Sequence, residues 1–340
     1  MGALRFIGPF VFALSIPALY YLAGPPAPFL TVAALLGALI AAEFVSRRGQ
    51  GPAIARDARL FRVLPNLYVP VQLGVIGWAV VAARDASASG FAALALSVGV
   101  TTGVFGVLAA HELVHGHDRA ERFLGLLMLT GMSYRHFRVA HIFGHHRWAA
   151  TERDPASARL GESFYAFLPR TIAAQFADAW MFEARRLNGG AIWDNRIFRD
   201  VVAMLALYAA IWAVLGPRSA ALLAAESAIG IVVLELFNYI AHYGLARRRT
   251  GRGYEPFTAA HSWNSSNAMA NALIFNMGRH SSHHARPASS FERLEWVAAA
   301  PELPAGYAGS ILLALVPPLW RRVMDPEVQK FQSGVSNAPA

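Results

Sequence analysis

The stretch His111-Glu112-Leu113-Val114-His115 lies where a long apolar segment ends and a polar region begins. Residues four positions apart lie on one face of a helix, one turn from each other. The two imidazoles of this stretch are therefore placed to bind one metal ion. The kind of metal site they belong to depends on the remaining histidines of the chain.

The composition indicates an integral membrane protein. Of the 340 residues, 55% are hydrophobic and only 15% are charged, whereas soluble domains carry roughly 25% charged residues. The chain has no cysteine, which excludes disulfides, thiolate metal sites and iron–sulfur clusters. Any metal must therefore be held by histidine, aspartate or glutamate.

The formal net charge of +9 comes almost entirely from arginine, because Lys330 is the only lysine. Basic chains often bind nucleic acid. Arginines in the loops of a membrane protein have a simpler explanation, since they keep loops in the cytoplasm and meet anionic lipids. We therefore expect the lipid bilayer, and no nucleic acid, as a partner.

Six apolar stretches approach the roughly 20 residues that a membrane-spanning helix needs. They predict spans at about 6–22, 29–45, 67–83, 91–110, 201–215 and 220–240. The first stretch lacks a clear small-residue cleavage site, so we interpret it as a span and not as a signal peptide. The predicted fold class is all-α, an integral membrane protein with six transmembrane helices.

The loop charges orient these spans. Arg47, Arg48, Arg56, Arg59 and Arg62 all lie between spans two and three, whereas the loop between spans one and two carries no charge. The positive-inside rule then places both termini in the cytoplasm. All 12 histidines fall on that side, which predicts a cytoplasmic, histidine-rich cap.

The sequence predicts one domain. Residues 1–326 are expected to form a single membrane-embedded unit, followed by a flexible tail over 327–340. Two shorter apolar stretches, at 123–132 and 311–320, are too short to span a bilayer. We expect them to form helices that lie in the interface or pack against the spans.

Three short motifs and one isolated residue supply nine candidate metal ligands. They are His111 and His115, then His141, His145 and His146, then His242, and finally His280, His283 and His284. Within each motif, histidines at i and i+3 or i+4 share a helical face, and the second member of each H-H pair points about 100° away. Nine imidazoles exceed the roughly three or four that one tetrahedral zinc takes. They fit two metals with four or five imidazoles each, although imidazole alone does not name the metal.

These motifs resemble the histidine boxes of membrane di-iron desaturases and hydroxylases, and most closely the alkane 1-monooxygenase family. The resemblance extends through Tyr134–His136 and from His141 to Ser163. It continues in the stretch Asn238-Tyr239-Ile240-Ala241-His242-Tyr243-Gly244-Leu245, which looks like the family's H-Y-G motif, and from His261 to His284. The H-Y-G motif separates this family from ordinary desaturases.

The resemblance implies a function. The nine histidines would hold two non-haem iron ions, and O2 would supply the oxygen atom that enters the terminal carbon of an alkane. Electrons would come from rubredoxin and its reductase, and the apolar substrate would enter from the membrane. The family also implies the inner membrane of a bacterium, with the histidine cluster on the cytoplasmic side.

The sequence departs from the family pattern at four positions. Ala140 and Ala241 stand where the family usually has glutamate, Ser282 where it has aspartate, and Gly116 where it has lysine. Three carboxylates near the predicted metals are therefore replaced. Carboxylates around a metal site orient the imidazoles and raise their basicity.

Other polar residues are candidates for supporting the site. Glu235 lies within span six, seven residues before His242 and so on nearly the same helical face. We expect it to bond a ligand imidazole or an asparagine that faces the rings, with a packing ion pair as the alternative. The further supporting candidates are Glu112, His136, Asp154, His261 and Asn264.

Three alternatives stay open at this stage. A desaturase or a hydroxylase of aromatic side chains, of the xylene type, could use the same scaffold. The H-E-x-x-H stretch alone is typical of an intramembrane zinc metalloprotease with Glu112 as general base, although that reading leaves most of the histidines unused. A non-catalytic metal carrier is the third, but carriers place ligands along a path through the membrane.

Overall fold

The computed structural model describes residues 3–45, 58–116, 118–251 and 253–336. His117, Arg47, Arg48 and Arg56 lie outside the described residues. The helices, in chain order, are α1 (Gly8–Ala23), α2 (Phe29–Val45), α3 (Ala58–Ala82), α4 (Ala88–Thr101), α5 (Val107–Val114), α6 (Arg119–Gly131), α7 (Phe137–Val139), α8 (His146–Trp148), α9 (Phe164–Leu187), α10 (Arg196–Leu215), α11 (Pro217–His242), α12 (Ala268–Leu273), α13 (His280–Ala285), α14 (Gly306–Ala314) and α15 (Pro317–Ser336).

All six predicted spans are helical. Four of the described helices are long and apolar enough to cross a membrane, at Phe61–Ala82, Ala88–Val114, Arg196–Leu215 and Pro217–His242. The first two predicted spans correspond to the shorter apolar helices α1 and α2, of 16 and 17 residues. The chain is therefore a mostly helical, multi-pass membrane protein.

The centre of the molecule is the contact between α11 and the helix that begins at Ala88. That helix runs without a break to Val114, because a π-helical segment, Thr102–Gly106, joins α4 to α5. Glycines allow the two helices to approach closely. A Cβ atom on Gly103 would lie 2.6 Å from Cβ of Val233 and 2.7 Å from the carbonyl oxygen of Gly230.

One long helix was missed by sequence analysis. The helix α9 begins after Ser163, whose hydroxyl accepts a hydrogen bond from the Ala166 amide, and it ends at Asn188 in the left-handed conformation. It is only weakly apolar, so a search for membrane spans does not detect it. It packs against α11, and its buried face carries Thr171 and Gln175.

The region after α11 departs from regular helix. A small antiparallel hairpin pairs Arg249–Thr250 with Gly253–Tyr254 and is the one sheet among the described residues, an exception to the predicted all-α class. Single-turn 3₁₀ helices lie at Ala259–His261 and Phe291–Arg293. The short helices and irregular segments of this region place the third histidine motif beside His242, the last residue of α11.

The predicted interface stretches are helical. The first forms α6, and its N-terminus is capped by Asp118, whose carboxylate accepts a hydrogen bond from the Ala120 amide at 2.9 Å. The second contributes to α14 and α15. Where sequence analysis placed a flexible tail from residue 327, α15 instead continues through Pro326 to Ser336 and buries Val328 completely.

Replacing Gly103 by alanine is expected to destabilise the protein, because the new methyl group meets backbone atoms of α11 that cannot rotate away. Overpacking of this kind costs roughly 1–3 kcal/mol. Thermal unfolding of the purified protein in detergent measures the effect. Gly37→Ala on α2 is the matched control, since no atom lies within 4 Å of its added methyl group. Equal unfolding temperatures for the two variants would contradict the proposed close packing.

Candidate metal centre

Four separate segments deliver histidines to one region. The C-terminal end of α5 carries His111, with His115 directly after it. The second motif lies in a π-helical segment, Ala140–His145, and continues into α8. His242 is the last residue of α11, and α13 carries the third motif. The central helices α5 and α11 therefore present histidines at their C-terminal ends.

All nine predicted ligands converge, and they form two groups. In each group the nitrogen atoms that could bind a metal lie within 4.8 Å of one another. The five-histidine group contains His111, His115, His141, His146 and His283, and the four-histidine group contains His145, His242, His280 and His284. The groups adjoin, since the ring centroids of His146 and His284 are 4.8 Å apart.

Each H-H pair contributes one histidine to each group, as the sequence predicted. In the second motif, however, the histidine that joins His141 in its group is not the predicted one. Sequence analysis placed His141 and His145 on one helical face. The structure places His141 with His146, at 2.9 Å between their Nε2 atoms, and gives His145 to the other group. The cause is the π-helical backbone, in which residues five apart come onto one face.

The distances between ring nitrogens fit metal coordination better than hydrogen bonding. The Nε2 atom of His146 lies 3.0 Å from that of His115, 2.9 Å from that of His141 and 3.1 Å from that of His283. A ring nitrogen carries one hydrogen or one lone pair, so it cannot bond three other nitrogens at once. Two nitrogens that bind one metal at about 2.1 Å, at angles of about 90° to 110°, lie roughly 3.0–3.4 Å apart.

The four-histidine group has the same arrangement. The Nε2 atom of His284 lies 3.1 Å from that of His145, 3.2 Å from that of His242 and 3.1 Å from that of His280. Each group thus has one imidazole whose Nε2 faces three others. A metal ion at the centre of each group would bind the ring nitrogens, which cannot all form hydrogen bonds with one another.

His111 supplies an independent test of this fit. Both of its ring nitrogens are buried, and neither has a hydrogen-bond partner among the described residues. Leaving a buried polar group without a partner costs about 1–3 kcal/mol. A metal ion bound by the five-histidine group would give His111 that partner.

The imidazoles have the protonation state that metal binding requires. Burial lowers the pKa of His283 and His284 well below the ordinary histidine value, and the neighbouring imidazoles lower it further. Burial likewise lowers the pKa of His115 to about 4. These rings are therefore neutral at physiological pH, and neutral imidazole is the form that binds metals.

Asp154 supports the four-histidine group directly. Its carboxylate lies 2.8 Å from Nδ1 of His145, at a buried position, and it accepts hydrogen bonds from the Ser157 hydroxyl at 2.6 Å and the Ala156 amide at 3.1 Å. Burial raises the pKa of Asp154, but His145 and Ser157 outweigh burial and lower it overall. The ionised carboxylate fixes the His145 ring with Nε2 facing the group.

His261 acts through its backbone. Its carbonyl oxygen lies 3.0 Å from Nδ1 of His242, which fixes that ring in the same way. Its own Nδ1 accepts a hydrogen bond from the Thr258 amide, and its Nε2 lies 3.3 Å from the Glu255 carboxylate. The buried side chain therefore contacts Thr258 and Glu255, while the carbonyl supports the site.

Glu112 and Asn264 hold chain segments in place. The Glu112 carboxylate accepts a hydrogen bond from the Phe291 amide at 3.1 Å, which ties α5 to the segment after the third motif. Asn264 accepts a hydrogen bond from the Ser281 amide at 3.0 Å and donates to the Ser281 hydroxyl. It thereby anchors the first turn of α13, next to His280.

Two other supporting candidates lie away from both groups. His136 contacts the rings of Tyr134 and Phe176, with centroid distances of 4.3 and 5.3 Å. Glu235 accepts hydrogen bonds from several side chains, and the described partner that reaches towards the histidines is Asn238, at 3.1 Å. Of the two partners expected for Glu235, the structure thus provides the asparagine and no imidazole.

Three of the four departures from the family pattern replace carboxylates, and all three lie beside the histidines. Ala140 is buried at the start of the π-helical segment. Ala241 lines a narrow cavity next to the rings. The Ser282 hydroxyl accepts a hydrogen bond from the Glu295 amide at 3.0 Å. None of these side chains supplies a carboxylate to the site.

That narrow cavity ends at histidines of both groups. His111 and His141 of the five-histidine group and His280 of the four-histidine group line it. The rest of its wall is largely apolar and includes Val107, Leu108, Leu234, Phe237 and Met277. The cavity is small, about 30 Å³, so it takes only the end of an apolar molecule, which would lie against both candidate metal positions.

Comparison with known proteins places the chain in a family. Residues 87–311 match the fatty acid desaturase family. The chain is 37% identical over 282 residues to alkane 1-monooxygenase 2 of Pseudomonas aeruginosa, a match that covers 81% of this chain and 75% of that protein. The alkane 1-monooxygenase of Ectopseudomonas oleovorans is 37% identical over 311 residues, 89% of this chain and 77% of that protein. The chain belongs to the alkane 1-monooxygenase family.

A more distant relative is the xylene/toluene monooxygenase hydroxylase component XylM of Pseudomonas putida. It is 28% identical over 229 residues, which covers 66% of this chain and 61% of that protein. The family predicted from the histidine motifs and the H-Y-G stretch is therefore confirmed, and the aromatic side-chain hydroxylase is the more remote match.

In this member of the alkane 1-monooxygenase family, sequence analysis missed several residues around the site. Ser157 bonds Asp154, while Thr171 and Gln175 of α9 donate to Glu235. Asn238 lines the apolar cavity. The signal for Asn238 was available, because it lies three residues after Glu235 and four before His242 on one helix. Thr171 and Gln175 carried no such signal, since their helix was not predicted.

We expect Asp154→Asn to weaken metal binding, because the neutral amide holds the His145 ring less firmly in the ligating orientation. Loss of such a partner typically lowers metal affinity about 10- to 100-fold. The metal affinity of the variant is measured as its metal content after equilibration with a chelator of known affinity. Asp85→Asn, in the exposed turn between α3 and α4, is the control. If both variants retained the wild-type metal content, the role assigned to Asp154 would be wrong.

Proposed function

We propose that this chain is a membrane monooxygenase that hydroxylates an apolar substrate, the terminal carbon of an alkane in particular. The reaction uses O2 and external electrons. The observation that carries the proposal is the cavity: its apolar wall ends at imidazoles of both histidine groups. The names of the relatives, seven of them alkane 1-monooxygenases, support the same substrate class.

Two non-haem iron ions are the proposed cofactors, one held by each histidine group. Bound iron would supply the activation of O2 that insertion of oxygen into an unactivated C–H bond requires. Residues of the chain orient the imidazoles and exclude water. Asp154 and the His261 carbonyl orient imidazoles of the four-histidine group, and Leu234 and Phe237 help to exclude water from the substrate cavity.

Water and protons have a separate route. A polar cleft lined by Arg62, Glu112, Asp118 and Glu121 reaches His115 from the surface. His115 is only partly buried, unlike His111 and His141. We infer that protons enter by this cleft, which shares no lining residue with the apolar cavity that takes the substrate.

The electron donor is proposed to be rubredoxin, or a similar small protein, together with its reductase. The chain contains no cysteine with which to hold an iron–sulfur centre of its own. Exposed arginines lie close to the histidines in the sequence. Arg147 and Arg153 follow the second motif, and Arg248 follows His242. A basic surface of this kind favours an acidic partner.

The proposed topology has six transmembrane crossings, with both termini and the histidines in the cytoplasm of a bacterium and the helices in its inner membrane. Two observations support it. The arginines between α2 and α3 favour a cytoplasmic position for that connection. The helices that end at Val114 and at His242 then run in the same direction, and both present histidines at the cytoplasmic edge.

Two alternatives are less well supported. A desaturase or a xylene-type hydroxylase would use the same histidines, but the XylM relative is only 28% identical. A zinc protease would need Glu112 to activate water, whereas this carboxylate accepts a hydrogen bond from the Phe291 amide. The protease hypothesis also assigns no function to the four-histidine group.

Product analysis tests the proposal. Membranes that contain the protein, supplied with rubredoxin, its reductase and NADH, are expected to convert a medium-chain alkane into the primary alcohol. The oxygen atom should come from O2, which labelling with ¹⁸O₂ detects. His242→Ala serves as the inactive control, because it removes a predicted ligand and leaves the substrate cavity lining unchanged. Formation of an alkene from the alkane would contradict the assignment, and so would oxidation of added xylene to its benzylic alcohol while the alkane stays unchanged.

A further inference from the structure

The apolar cavity has one amide in its wall. Its lining includes three imidazoles, the hydroxyl-bearing Tyr307 and Asn238, and otherwise apolar side chains. The Tyr307 hydroxyl donates a hydrogen bond to the Trp263 carbonyl at 3.2 Å, so its hydrogen is already used. Asn238 is 8% exposed. A buried amide in an apolar wall needs a reason, because an unsatisfied one is costly.

Glu235 fixes the orientation of this amide. The Glu235 carboxylate is fully buried and accepts four hydrogen bonds. The donors are Tyr134 at 3.0 Å, Gln175 at 2.9 Å, Thr171 at 3.2 Å and Nδ2 of Asn238 at 3.1 Å. An ionised carboxylate only accepts hydrogen bonds and offers about four positions for them, so this set of donors occupies all of them.

The consequence concerns the other end of the amide. The NH₂ group of Asn238 donates its hydrogen bond to Glu235, so the Oδ1 atom of the same amide faces away from that carboxyl group. Its Oδ1 accepts no hydrogen bond from any side chain or backbone group in the described part of the chain. A fixed hydrogen-bond acceptor is thus left over in the wall of a cavity that three imidazoles also line.

We propose that Oδ1 of Asn238 is a binding subsite for the hydroxyl group of a primary alcohol, the product of the reaction. This inference rests on the proposed hydroxylase function. An alkane makes no hydrogen bond, so it meets only the apolar wall. Once the terminal carbon carries a hydroxyl group, that group must find a partner in a cavity with little water. The Asn238 amide offers it an acceptor beside the histidines, and Glu235 is the positioning residue.

The test compares two ligands that differ by one oxygen atom. Dissociation constants of 1-octanol and octane are measured with the full-length protein in detergent micelles, from the ligand-dependent shift of its unfolding temperature. Asn238→Leu removes the acceptor at nearly constant volume. It is expected to weaken 1-octanol binding about fivefold or more and to change octane binding less than twofold. Glu235→Gln, which disturbs the orientation of the amide, should lower the preference for 1-octanol in the same direction.

Ser310→Ala is the control, because it removes a buried hydroxyl of α14 that has no hydrogen-bond partner among the described residues and does not line the cavity. It should keep the wild-type preference for 1-octanol. If Asn238→Leu does not fold, Asn238→Ala provides the same comparison. Equal weakening of both ligands, or no change in either, would overturn the assignment of Asn238.

The outcomes also separate this inference from the proposed function. If the wild-type protein neither binds octane nor hydroxylates it, both proposals fail. If the wild-type protein does both, and Asn238→Leu retains the wild-type preference for 1-octanol, the subsite alone is wrong and the hydroxylase function stands.

Discussion

The mutual approach of nine imidazoles is the constraint on which the rest of the structure depends. In each group one Nε2 atom faces three others at 2.9–3.2 Å. Both ring nitrogens of His111 are buried, and neither has a hydrogen-bond partner in the part of the chain that the structure describes. Such an arrangement is unfavourable unless metal ions occupy the two centres. The surrounding protein must therefore stabilise this arrangement enough to offset the free-energy cost of removing the rings from water.

The fold provides this restraint at three levels. Glycines such as Gly103 bring the central helices close enough to place His111 and His242 at the same edge. A π-helical turn directs His141 and His146 to one group and His145 to the other. Asp154 and the His261 carbonyl then fix the ring orientations of the four-histidine group. The same central helices form the apolar cavity, so substrate binding and metal binding share one scaffold.

The sequence was most informative where chemistry needs particular residues at particular spacings. The nine histidines, the helices of all six apolar stretches and the family were predictable from motif and hydropathy. The register of the second motif was not, because a π-helix leaves no clear mark in a sequence of six residues. The amphipathic helix α9 lacks the apolar run that identifies a span, so its contacts with Glu235 were also missed. Asn238 lay inside a quoted motif, but its role depends on a carboxylate whose partners come from distant segments.

The most direct test of the account is the metal content of the protein purified in detergent, combined with Mössbauer spectroscopy of an iron-57-enriched sample. Two groups of imidazoles, each arranged around its own centre, predict two iron ions per chain with a ligand field dominated by nitrogen. One zinc ion per chain, or a single isolated iron, would contradict the two-metal site and the function built on it.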